Sequence, residues 1–243
     1  MKDPARNCGI RIFPDTAALN EATARFIAET AALVLREKEN FSIALSGGST
    51  PRALYELLAS EKFANEIEWR RTLVFFGDER CVEPTDKESN FRMAHEALLS
   101  KIEIPEKNIF RMRGEIEPQD AAAEYERLIK SALGENPRLD LILLGLGDDG
   151  HTASLFPESP ALEEKEKLVV ANFVEKLGAF RLTLTLPAIN SAANAVFLVA
   201  GAGKAHALKK VLSNNTDDFP AARVKPEKGK CLFFLDESAA SLL

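Results

Sequence analysis

Cysteine is scarce in this chain and poorly placed for chemistry. Cys8, Cys81 and Cys231 are odd in number and scattered, without the C-x-x-C spacing of a zinc or redox site. Reduced thiols in a cytoplasmic protein are the expectation. Positive charge is also short, with 31 Lys and Arg against 37 Asp and Glu and a formal net charge of -6. That balance speaks against a nucleic-acid partner, which needs clustered cations to displace counterions from phosphates. A small anionic ligand stays open, because a local cationic pocket can sit on an acidic protein. Long apolar runs are missing as well: no segment approaches an uncharged membrane span, and Met1-Lys2-Asp3-Pro4-Ala5 is polar where a secretory signal would be apolar. No membrane partner and no export are expected.

What the chain does contain is 243 residues, 46% of them hydrophobic and 28% charged, enough for one well-filled core. Short apolar runs alternate with longer amphipathic stretches. The strand candidates are 10–13, 41–45, 72–77, 139–145, 168–173, 180–184, 194–200 and 231–235, all read as buried parallel strands. Helices are expected over 16–38, 51–60, 89–99, 118–133 and 203–212, with Thr50 capping the helix that Pro51 opens. The segment 216–230 reads as a loop too short to divide domains. The pattern predicts a single-domain α/β fold over 1–243: a Rossmann-like, mostly parallel sheet with helices on both faces. Ligands of such sheets bind beyond the carboxyl ends of the strands, so the chemistry is sought there.

Four regions carry it. In Ser46-Gly47-Gly48-Ser49-Thr50-Pro51, paired glycines let backbone amides approach an anion at a helix N-terminus, and the Ser46, Ser49 and Thr50 hydroxyls can bond phosphate oxygens. It lacks the spacing and the lysine of a P-loop, and a plain strand-to-helix turn is the competing reading. Asp78-Glu79-Arg80 ends an apolar strand in three charges. Arg80 is suited to bidentate phosphate binding, and the carboxylates of Asp78 and Glu79 to orienting that arginine, orienting a base or bonding sugar hydroxyls. A solvated charged loop is the alternative. Asn90-Phe91-Arg92 opens the next helix and is expected to pack under this loop, with a surface position for Arg92 the alternative.

The third region, Gly145-Leu146-Gly147-Asp148-Asp149-Gly150-His151-Thr152-Ala153-Ser154-Leu155-Phe156-Pro157, spells G-x-G-x-x-G. Asp148 and Asp149 would repel a pyrophosphate, and Pro157 and Pro160 interrupt the helix that a dinucleotide site needs, so no nucleotide cofactor is expected. His151 offers an imidazole able to accept a proton near neutral pH, with the Asp149 carboxylate two residues away. His95 and His206 fall inside expected helices and are read as structural or surface residues. A metal held by Asp148, Asp149 and His151 lacks a further ligand cluster, so no metal is expected. Last, Arg181 lies on an apolar strand and asks for an anionic partner, either a phosphate or a structural carboxylate. Lys204 follows a Gly-x-Gly turn and is read as a second anion contact or a solvated lysine.

Taken together, the Ser46 to Pro51 loop, Asp78-Glu79-Arg80, Gly147 to Pro157 and Arg181-Leu182-Thr183-Leu184-Thr185 resemble the 6-phosphogluconolactonases, in the same order and across most of the chain. The fold of that family is related to those of glucosamine-6-phosphate deaminases and ribose-5-phosphate isomerases. The resemblance implies hydrolysis of 6-phospho-D-glucono-1,5-lactone in the oxidative pentose phosphate pathway, without metal or cofactor. It implies His151 as base and Arg80, Arg181 and Lys204 as substrate or phosphate binders. Deaminases usually carry Asp-Glu-Tyr in place of Asp78-Glu79-Arg80, and Asn-Glu-Pro after the Gly-His pair where this chain has Ser154-Leu155-Phe156-Pro157; both differences point to the lactonases. Against this stand two alternatives: a sugar-phosphate deaminase or isomerase, and a non-catalytic sugar-phosphate-binding protein. A monomer or weak homo-oligomer is expected.

Overall fold

A computed structural model describes residues 8–213 and 218–243. The N-terminal pentapeptide and the start of the 216–230 segment lie outside the described residues. Six strands form the main sheet: β1 (Cys8–Phe13), β2 (Phe41–Leu45), β3 (Thr72–Phe76), β5 (Leu141–Leu144), β8 (Asn194–Val199) and β9 (Lys230–Asp236). Their order is β1-β9-β8-β5-β2-β3, and every neighbouring pair is parallel. The strands are near-continuous apolar runs because both faces are covered. Alternate side chains feed two cores: Ile43, Leu45, Val74, Phe76, Leu141 and Leu143 point to one, and Ala44, Phe75, Ile142 and Leu144 to the other.

The first core is closed by α1 (Thr16–Val34), α2 (Ser49–Leu58) and α3 (Asn90–Ala97). The second is closed by α4 (Pro118–Leu133), the short α5 (Leu186–Ser191) and α6 (Ala205–Leu212). Helix α4 has the predicted bounds, whereas α1 stops at Val34 and not at Lys38. No described helix is long and apolar enough to cross a membrane.

Two expectations are corrected here. Residues 168–173 and 180–184 do not join the parallel sheet. They become β6 (Val169–Val174) and β7 (Ala179–Leu184), an antiparallel hairpin that pairs with β4 (Asp78–Arg80) in a separate sheet of order β4-β7-β6. The reason is length: only residues 175–178 separate the strands, ending in Gly178 at φ 59°, and a parallel crossover needs a dozen residues or more. Nor does Thr50 cap α2. Gly48, at φ 111° and ψ 170°, takes the cap position without a side-chain bond, so the helix begins at Ser49 and carries Thr50 in its first turn.

The strand order reverses between β2 and β5. From β2 the chain winds outward through β3, and from β5 it winds the other way through β8 and β9. The loops after β2 and β5 therefore diverge and leave a crevice between them. Gly77 links the two sheets: its amide donates to Leu45 O (2.8 Å), and its carbonyl accepts from the Leu184 amide (2.9 Å). This joint brings the short sheet over the carboxyl ends of β2 and β5.

Candidate active site

At the crevice lies a cleft of about 480 Å³, within the range that accepts small metabolites. Its wall draws on every motif region: Ser46, Gly47 and Gly48 after β2, Asp78 and Arg80 on β4, the Gly145 to Ser154 loop after β5, Arg181 on β7, and Lys204 ahead of α6. Three expected site residues are not in that wall. Ser49 and Thr50 occupy the first turn of α2. Glu79 is turned away, because alternation along β4 sends Asp78 and Arg80 to one face and Glu79 to the other.

The buried Glu79 carboxylate instead accepts from the amides of Arg80 (2.8 Å), Asn90 (2.7 Å) and Phe91 (2.7 Å) and from Ser89 Oγ (3.0 Å). Burial raises its pKa even against these four donors. The negative charge sits at the N-terminus of α3, where orphan amides and the helix dipole favour it. Its geometry is that of an anchor joining β4 to α3.

In the loop after β5, His151 Nδ1 lies 2.5 Å from Asp149 Oδ1. Asp149 Oδ1 also accepts from the His151 amide (3.2 Å), and Oδ2 accepts from Lys176 Nζ (3.2 Å). Partial burial opposes ionisation of Asp149, but the His151 side chain, the His151 amide and Lys176 together lower its pKa to about 2. Phe156 stacks on the imidazole with centroids 4.2 Å apart. Gly147 completes the seat, since a β-carbon there would overlap the His151 ring. With Nδ1–H directed to a carboxylate, Nε2 is the nitrogen left to act on a ligand. The Gly147 and Gly150 amides are used inside the loop, donating to His151 O (2.9 Å) and Gly147 O (3.0 Å).

Asp78 is held differently. Its Oδ2 accepts from Ser154 Oγ (2.6 Å), and its Oδ1 accepts from Asn90 Nδ2 (3.2 Å). Asp149, and not the Asp78-Glu79 pair, is thus the carboxylate on His151.

Arg80 and Arg181 lie directly opposite each other in the β4–β7 register. Like charges in that position repel. Burial, followed by the Arg80 charge, lowers the Arg181 pKa. Arg80 donates to Glu88 O and Arg181 to Phe180 O (3.2 Å), both carbonyls; the Asp78 and Glu88 charges act on Arg181 and partly offset that lowering, but neither arginine forms a direct ion pair with a carboxylate among the described residues. Lys204, by contrast, is paired with Asp148 at 2.5 Å.

Sequence reasoning missed Lys176 and Leu177, which reach the cleft from the β6–β7 hairpin. No motif marks them, and only the short spacing between β6 and β7 signals that this turn folds back. Ser154 and Phe156 stood within a recognised motif, yet their contacts depend on β4 and on the imidazole plane. Asn90 was seen at a helix start. What could not be read is that its amide wedges between Asp78 and Gly47, where a β-carbon would overlap it.

The family model described as glucosamine-6-phosphate isomerases/6-phosphogluconolactonase matches residues 14–233. The 6-phosphogluconolactonase of Nostoc sp. is 39% identical over 241 residues, covering 96% of this chain and 98% of its own. The 6-phosphogluconolactonase of Homo sapiens is 38% identical over 240 residues, covering 96% and 93%. Among solved structures, 6-phosphogluconolactonase from Trypanosoma cruzi superposes with a TM-score of 0.87 at 33% identity, covering 97% of each chain. A monomeric glucosamine-6-phosphate deaminase shares the fold at a TM-score of 0.81 and 22% identity, covering 97% of this chain and 100% of its own. On these matches the chain belongs to the glucosamine-6-phosphate isomerase/6-phosphogluconolactonase family, among the lactonases of that family.

Proposed function

We propose that the chain hydrolyses 6-phospho-D-glucono-1,5-lactone to 6-phospho-D-gluconate, with His151 as general base and the phosphate held chiefly by Arg80 and Arg181. The observation that carries the reading is that the Asp149–His151 pair and the two arginines without carboxylate partners share one cleft. A lactone carbonyl is already electrophilic, so positioning, a base and a charged grip are sufficient chemistry.

In this mechanism His151 Nε2 removes a proton from water as the water oxygen attacks the lactone carbonyl carbon. Asp149 holds Nδ1–H and stabilises the imidazolium that results. The tetrahedral intermediate collapses by breaking the bond to the ring oxygen, and the imidazolium returns its proton to that oxygen. The product is the open-chain acid. At the far end, a phosphate dianion between Arg80 and Arg181 replaces their mutual repulsion with charge-assisted bonds, so binding there gains more than at an isolated arginine. That gain fixes the lactone against the base. Lys204 is already neutralised by Asp148 and has the weaker claim to the phosphate.

The test is turnover of enzymatically generated 6-phosphogluconolactone, with spontaneous ring opening subtracted. Purified protein should accelerate opening, and His151→Ala should lower kcat by roughly two to four orders of magnitude. Normal turnover by His151→Ala removes the base assignment. Ammonia release from glucosamine-6-phosphate without lactone hydrolysis would favour the deaminase reading.

A further inference from the structure

We propose that Ser46 and Asp78 read a hydroxyl of the sugar ring and not the phosphate, making Ser46 a specificity-determining residue of the lactone site. The inference rests on the lactonase reading above and says which part of that substrate meets which wall of the cleft.

Ser46 is only 7% exposed, yet its Oγ has no hydrogen-bond partner among the described residues, and the residue lines the cleft. A buried hydroxyl without a partner is costly, so it points to a ligand group that completes it. Its backbone is not free to relax. The Tyr55 hydroxyl donates to Ser46 O (2.8 Å) and accepts from the Ser46 amide (2.9 Å), which fixes both backbone polar atoms of that residue. The backbone that carries the hydroxyl is therefore held in place before any ligand arrives.

What lies beside it decides which group it takes. Leu45 is in register with Phe76, and the Gly77 amide bonds Leu45 O, so Ser46 and Asp78 leave adjacent strand ends. Asn90 spans the gap, bonded to Asp78 and packed against Gly47. Asp78 is 9% exposed, and its carboxylate holds one donor on each oxygen, from Ser154 and Asn90, leaving acceptor capacity on both. A phosphate dianion placed against this carboxylate would be repelled, as Coulomb's law requires at low local dielectric. A sugar hydroxyl fits, since it can donate to Asp78 while accepting from Ser46 Oγ. The cationic wall of Arg80 and Arg181 then keeps the phosphate for itself.

The experiment is a substrate panel: 6-phosphogluconolactone and its 2-deoxy, 3-deoxy and 4-deoxy analogues, each with wild type, Ser46→Ala and Arg181→Ala. Ser46→Ala should lower kcat/KM on the parent lactone by roughly five- to tenfold, the value of one neutral hydrogen bond. That loss should vanish with the one deoxy analogue whose missing hydroxyl Ser46 reads. Arg181→Ala should lower kcat/KM by a similar factor on all four substrates. An equal Ser46→Ala loss on all four, or no loss on any, overturns the inference while leaving the lactonase reading intact. Absence of wild-type turnover on the parent lactone overturns the lactonase reading itself, and this inference with it.

Discussion

At the scale of single residues, the cleft separates charges that are spent from charges that are available. Asp148 neutralises Lys204, and Asp149 engages both His151 and Lys176, while Arg80 and Arg181 face each other across β4 and β7. Asp149 is the residue whose titration is easiest to predict. Its folded pKa of about 2 lies below its ordinary value, so its interaction with His151 is fully present above the ordinary carboxyl range and is lost only as pH falls through about 2. Asp149→Asn should therefore lower kcat by a constant factor across pH 7 to 9, on the order of 10² or more, because the carboxylate is ionised throughout that window. A pH–rate series on both proteins checks this. A deficit that changes tenfold across the window would show that a group of the Asp149–His151 pair titrates there, and would overturn the constant factor.

At the scale of elements, loop shape depends on a few backbone positions. The loop after β5 turns through Gly150 at φ 80°, and its Gly147 leaves room for the imidazole. Gly147→Ala should push the His151 ring out of line with Asp149 and lower kcat by about two orders of magnitude. Stability should fall far less, because the displaced ring is a side chain 31% exposed at the cleft and not packed core. Comparing kcat with the urea midpoint separates the two effects; a loss of stability that matches the loss of activity would mean that the glycine serves folding and not the site. The β3–Gly77–β4 joint is the other such element. Tyr125 fixes the residue before it, with its hydroxyl accepting from the Phe76 amide (2.7 Å) and donating to Phe76 O (3.1 Å). Tyr55 does the same for Ser46 from the opposite face of the sheet. Two tyrosines on helices from different cores thus hold the strand ends from which the cleft is built.

At the scale of the whole molecule, chemistry and stability occupy opposite ends of the same strands. Asp140, 4% exposed at the start of β5, accepts from Lys38 Nζ (2.5 Å), the Ser42 amide (3.0 Å) and Ser42 Oγ (2.8 Å), and so ties β5 to β2 at the end remote from the cleft. Asp140→Ala leaves buried donors on Ser42 without a partner and should cost about 2–4 kcal/mol. The urea midpoint should fall with an unchanged slope, and kcat/KM should stay at the wild-type value. A drop in kcat/KM with intact stability would show that the two ends of the sheet are coupled through β2 and β5.

The sequence by itself determined the α/β class, the positions of the parallel strands and the motifs that meet in the cleft. These features are local: apolar runs, glycine at loop turns and charged residues at strand ends impose themselves over a few residues. The hairpin of β6 and β7 was also within reach, since the chain between them is too short to cross back. Only the tertiary structure decided which carboxylate serves His151, that Glu79 anchors α3 instead of facing the cleft, that Ser49 and Thr50 stand aside, and that Arg80 and Arg181 oppose each other. Each of those outcomes depends on the register between strands distant in the chain. A shift of one residue in β4 would exchange the two faces of the strand and turn Glu79 inward. Local composition carries no record of such a register, because it is set by the packing of two sheets joined at Gly77.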